Sequence, residues 1–157
     1  MFVFFIYGTL TALFALIAEI MSGALLPEAG FLAIRSAAAS PLSVLAPTII
    51  VLASIEELLK YFVLRKTLRT DSGIRPIPAS LLFGIGFAAT ELGLLSMMGA
   101  SASPSTFLPL FGILTVHVVT SVIYGYGIRR GPGKSGAIAV LIGILLHTAY
   151  NLVLALI

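Results

Sequence analysis

A chain of 157 residues that is 59% hydrophobic and 10% charged, with a mean hydropathy of +1.15, is unlike a soluble domain, in which roughly 25% of residues are charged. The net charge of +3 is too small to suggest nucleic-acid binding, and the absence of cysteine excludes disulfides, thiolate metal sites and a cysteine nucleophile. Bilayer rules therefore apply, and the length suits one domain: an all-α, polytopic membrane helix bundle.

About 20 apolar residues cross the hydrocarbon core. Five stretches qualify in chain order: Phe2–Leu26, Ser43–Leu64, Pro78–Met98, Thr106–Ile128 and Gly136–Leu156. The first has no basic residue ahead of it and is too long for a signal peptide, so it reads as a retained helix. PEAGFLAIRSAAASP, residues 27–41, reads as a short interfacial segment. In the second stretch, Pro47 is expected to start or kink the helix. Arg65, Lys66, Arg69 and Arg75 follow the second span, and Arg129, Arg130 and Lys134 follow the fourth, whereas SASPST between the third and fourth has no charge. The positive-inside rule then puts both basic loops and the N-terminus in the cytoplasm, and the C-terminus outside.

Counting ~1.5 Å per helical residue from the cytoplasmic ends places the ionisable groups in depth. Glu56 and Glu57 lie roughly 12–14 Å above Arg65, Glu91 roughly 18–20 Å above the start of the third span, and His117 about 18 Å above Arg129. His147 lies roughly 16 Å above the start of the fifth span, with Asn151 one turn beyond. Polar groups from four helices thus share one layer near mid-membrane. Each costs at least ~2.5–3.5 kcal/mol at a helix centre, so they are expected to face the bundle interior or a wet cavity. Lys60 can reach Glu56 or Glu57 along one face, and Ser121 and Asn151 stand one turn beyond their histidines. Gly84, Gly86, Ala88, Ala89, Gly125, Gly127 and Gly143 allow close helix approach.

EELLK at Glu56–Lys60, FAATE at Phe87–Glu91, HVVTS at His117–Ser121 and HTAYN at His147–Asn151 fall in that order on four successive helices. The set resembles the PrsW-type branch of the CPBP (Abi, CAAX protease-like) superfamily of intramembrane proteases over about residues 50 to 155. Glu91, where the CAAX-type branch carries histidine, favours the PrsW type, while Leu92 stands where asparagine is frequent. The resemblance implies hydrolysis of a peptide bond in another membrane protein, with single-pass regulators such as anti-sigma factors among the substrates.

Two chemical arrangements fit these residue types. In one, Glu57 or Glu56 is the general base, Lys60 keeps the pair ionised or oriented, and His117, His147 and Asn151 stabilise the oxyanion without a metal. In the other, His117, His147 and a glutamate, Glu91 foremost, hold zinc with an open position for water, and a remaining glutamate is the base. A small proton-coupled transporter using the same polar layer, or a non-catalytic membrane scaffold, is the rival reading. Individually, the Glu–Lys cluster reads as a structural ion pair, each histidine as a packing residue and Asn151 as an interhelical clamp. Their common depth argues against all of these at once. Glu19, about 25 Å along the first helix, reads as an interfacial carboxylate with no catalytic part. Glu28, Arg35 and Asp71 read as loop residues, and Tyr61, Tyr124 and Tyr150 as packing aromatics.

Overall fold

The computed structural model describes residues 1–25, 42–70, 73–97, 104–131 and 133–156, excluding side chains at 23–25, 42–45 and 104–108. Five α-helices result: α1 (Phe2–Leu25), α2 (Leu42–Thr70), α3 (Pro76–Met97), α4 (Pro104–Arg130) and α5 (Lys134–Leu156). No strand occurs among the described residues. The interfacial segment expected at 27–41, with Glu28 and Arg35, lies outside the described residues, as does Asp71. Pro47 neither starts nor ends a helix but sits within α2.

Among the described residues, four helices are long and apolar enough to span a bilayer: Phe2–Ser22, Pro76–Met97, Pro109–Arg130 and Lys134–Leu156. The expected fifth span, within α2, has the length at 29 residues but carries Glu56, Glu57 and Lys60 at its middle. Its place in the bundle explains how those charges are tolerated. Going round the bundle the order is α1, α3, α4, α5, α2, and α2 also touches α4 and α3 across the interior. The charged face of α2 therefore meets protein, and Glu57 and Lys60 are 0% exposed while Phe62 on the opposite face is 65% exposed.

The same inversion holds at the level of the polar layer, while Phe4, Phe83 and Leu64 form an apolar core beside it. Phe14, Ile20, Phe111 and Leu145 face outward, whereas Thr120, Ser121, His117 and His147 are buried. Apolar perimeter and polar interior are what a hydrocarbon solvent selects, since burying a polar group without partners is costly and an apolar one has nothing to gain from leaving lipid. The chain is an integral membrane protein.

Small residues set the helix spacing. A Cβ at Gly86 would strike the Phe5 carbonyl, and one at Gly84 would come within 2.8 Å of the His117 carbonyl and the Val118 Cα. Thus α3 lies backbone-to-backbone against α1 on one side and α4 on the other. Ala88 is buried as expected, while Ala89 is exposed. Tyr150 on α5 donates to the Pro109 carbonyl of α4 at 2.5 Å, tying those two helices together.

Candidate functional site

The polar layer assembles around Lys60. Its ammonium has three N–H groups and faces three acceptors: Glu57 Oε1 at 2.5 Å, His117 Nδ1 at 2.8 Å and Thr120 Oγ1 at 3.3 Å. A lysine saturated in this way, with its charge opposite a carboxylate, is the condition under which a buried ion pair is tolerated. Nζ also lies 4.6 Å from the centroid of the Phe87 ring, which in turn packs on His117 at 4.7 Å.

Glu57 is equally complete. Oε1 accepts from Lys60 and from His147 Nδ1 at 2.6 Å, and Oε2 accepts from the Tyr124 hydroxyl at 2.5 Å. A carboxylate holding three charge-assisted hydrogen bonds and no exposed surface is fixed in place and shielded from water. It fixes His147 with Nδ1–H donating, which leaves the lone pair on Nε2.

His117 is fixed from both sides. Lys60 can only donate, so Nδ1 must accept; the proton then sits on Nε2, which donates to Glu91 Oε2. This tautomer follows from the hydrogen-bond network. The rings of His117 and His147 meet edge to face at 5.1 Å.

Glu56 differs from its neighbour. Its Oε2 is enclosed and has no hydrogen-bond partner among the described residues; His147 Nδ1 lies 3.9 Å from it. The helix rotates ~100° per residue, so adjacent glutamates point to different surroundings. Glu57 turns into the Lys60 network, and Glu56 turns to a cleft of about 80 Å³ between α1, α2 and α3. Glu56, Glu91, Glu19, Phe87, Ala12 and Ala15 line it. A volume of that size admits a few waters.

No family model, curated protein or solved structure matches the chain. The site is therefore read from its own geometry.

Glu56, Glu57, Lys60, Glu91, His117 and His147 come together as the shared depth predicts. Asn151 does not join them: it is half-buried, and no hydrogen bond links it to the cluster among the described residues. Thr120, not Ser121, meets Lys60; Ser121 is packed beside Gly84. Tyr124, read as a packing aromatic, is a hydrogen-bonding member of the site. Its position seven residues after His117 and four after Thr120 puts all three on one face of α4, a signal present in the sequence.

Reading Glu19 as an interfacial carboxylate is corrected: it is 5% exposed and shares the cleft with Glu56 and Glu91. Depth alone misplaced it. Gly8, Ala12, Ala15 and Glu19 follow one another at helical spacing on the face of α1 that enters the bundle, and Gly8, Ala12, Ala15 and Glu19 are all buried.

Glu56, His117 and His147 each offer a ligand atom, with all three atoms within 4.8 Å of one another. The distances alone suit a divalent ion, with Glu56 in the place the sequence reading gave to Glu91. The hydrogen bonds do not suit it. A metal-bound histidine needs a lone pair toward the ion and a proton on its other nitrogen. In His117 the lone pair is taken by Lys60 and the proton faces Glu91, so this histidine has no ligating nitrogen while Lys60 stays beside it.

Proposed function

We propose that this protein is an intramembrane endopeptidase that hydrolyses a peptide bond of another membrane protein with a metal-free Glu/His site. The observation that carries the reading is Glu56: a carboxylate with an unpaired oxygen, facing a small cleft, beside two histidines locked in defined tautomers. A hydrolase needs a base next to water, a donor where the oxyanion develops and a proton for the leaving amine.

The Glu56 carboxylate is the base for a water in the cleft, and the same carboxyl group returns the proton to the leaving nitrogen. His117 Nε2–H is the oxyanion donor, turning from Glu91 to the carbonyl oxygen as negative charge grows there. The Lys60 ammonium on the opposite nitrogen polarises the ring and strengthens that donor. Tyr124 and Glu57 hold His147 against Glu56, so the base stays in one position. The resemblance to PrsW-type proteases on the same four motifs supports this assignment and implies single-pass regulators such as anti-sigma factors as the substrate class. The basic loops support an orientation in the cell membrane with the N-terminus in the cytoplasm and the C-terminus outside.

The test is reconstitution in proteoliposomes with a labelled single-pass substrate, comparing wild type with Glu56→Gln and His147→Ala. Both variants are expected to lose cleavage by at least about a hundredfold, the usual worth of acid–base catalysis. Cleavage that survives both substitutions removes the Glu56/His147 site, and absent cleavage by wild type removes the peptidase reading. Elemental analysis of protein purified without chelator accompanies it. Stoichiometric zinc whose removal abolishes cleavage overturns the metal-free assignment.

One observation favours a second reading. The hydrogen-bonded chain Tyr124–Glu57–Lys60–His117–Glu91 runs across three helices, as a proton relay would. A proton-coupled carrier predicts Glu91-dependent flux into proteoliposomes and no peptide cleavage.

A further inference from the structure

Glu19 has no place in the chemistry above, and α1 lies outside the four motifs that carry the family resemblance. It is nevertheless 95% buried, taking the complement of its 5% exposure, at the wall of the cleft. Among the described residues no N–H or O–H donor reaches its carboxylate; the group within hydrogen-bonding reach of it is Glu56, whose own Oε2 is unpaired.

Charge counting sharpens the point. Glu19, Glu56, Glu57 and Glu91 bring four carboxylates into one low-dielectric region, and among the described residues Lys60 is the one fixed cation there. Lys60 serves Glu57, and Glu91 is held by His117. Glu56 has only the His147 ring at 3.9 Å, and Glu19 faces the same small space with no cationic partner among the described residues. Buried carboxylates are paired or ligate a cation, because desolvation otherwise makes them costly. A purely structural residue at this point of α1 would be alanine or glycine, like Ala12 and Ala15 below it.

We infer that the cleft is a subsite for a basic side chain of the substrate, with Glu19 the specificity-determining residue that receives the ammonium or guanidinium. This rests on the peptidase reading for its biological sense, but the binding itself does not. The lining supports an alkyl-linked cation over a hydrated metal ion: Ala12, Ala15, Leu16, Phe87, Leu94 and Leu95 form an apolar sleeve leading to the carboxylates. About 80 Å³ suits a four-carbon stem. A lysine or arginine stem buries its methylenes along such walls while its head meets the charges.

The experiment measures binding to the intact protein in lipid nanodiscs, without turnover. The probes are n-butylammonium and n-propylguanidinium, with n-butanol as the uncharged control and magnesium and zinc ions as separate arms. The cationic probes are expected to bind wild type at least tenfold more tightly than n-butanol does, and to lose that advantage in Glu19→Gln. The variant's melting temperature is expected to equal or exceed that of wild type, since an unpaired buried charge has been removed. Equal binding of butylammonium and butanol overturns the inference, as does undiminished butylammonium binding in Glu19→Gln. A lowered melting temperature in Glu19→Gln, with cation binding intact, makes Glu19 structural. Glu19-dependent binding of a metal ion with none of butylammonium replaces the side-chain subsite by a metal subsite. Failure of the peptidase reading would appear elsewhere, as absent cleavage of every substrate with cation binding retained.

Discussion

Replacing Lys60 by methionine tests the centre of the bundle most directly. The side chain keeps its bulk but loses three hydrogen bonds, to Glu57 at 2.5 Å, His117 at 2.8 Å and Thr120 at 3.3 Å. Glu57 and Lys60 are both 0% exposed, so water cannot take over the lost contacts. Breaking one partner of a buried pair costs about 3–5 kcal/mol, because the other charge is stranded. With roughly 2–4 °C per kcal/mol for a chain of this size, the melting temperature should fall by about 6–20 °C. Thermal unfolding of purified protein in one detergent, followed by circular dichroism, measures it. The second half is the double variant Lys60→Met/Glu57→Gln, which removes the stranded charge along with its partner. At least half of the lost stability should return, as a coupled pair requires. If Lys60→Met melts within about 2 °C of wild type, the pair is solvated and the polar layer is not enclosed. A double variant no more stable than the single one would mean that the loss comes from packing instead of charge.

Tyr124→Phe should destabilise by about 1–3 kcal/mol, since Glu57 Oε2 loses its donor in a buried site, and chemical unfolding would read this as a shifted midpoint. The Tyr124 hydroxyl occupies the space that a Cβ at Gly143 would take, and the ring carbon Cζ would lie 2.6 Å from it, so Gly143→Ala should be damaging in wild type and only partly relieved in the Tyr124→Phe background. Gly8→Val should separate α1 from α3, because its side chain would collide with the Phe83 carbonyl; an overpacking cost of about 1–3 kcal/mol or more is expected, and a melting temperature equal to wild type would refute the packing described here. The chain has no cysteine, so a single Lys134→Cys change reports topology without background. Labelling by a membrane-impermeant thiol reagent is expected from the cytoplasmic face alone.

How far the sequence reached is clearest at α2. Composition alone announced a membrane protein and put Glu56, Glu57, Glu91, His117 and His147 at one depth. That inference needs only chain length, helix rise and the cost of charge in hydrocarbon, all of which act residue by residue along one axis. It was also enough to expect that Lys60 would meet one of the two glutamates, because i,i+3 and i,i+4 pairs are local to a helix.

What depth leaves open is rotation about each helix axis and the identity of the facing helix, and those were settled by packing. Glu57 is enclosed and Glu56 faces the cleft because α2 sits against all four other helices, so one step of ~100° leads from a full set of partners to an open space. Thr120 instead of Ser121 reaches Lys60 for the same reason, and Asn151 turns away from a layer whose depth it shares. Glu19 shows the limit most plainly: its height suggested an exposed interface, and only the approach of α1 to α3 across Gly8 and Gly86 carries it inside. A sequence read one helix at a time gives height in the membrane; the direction in which each side chain points is a property of the assembled bundle, fixed where small residues let backbones touch.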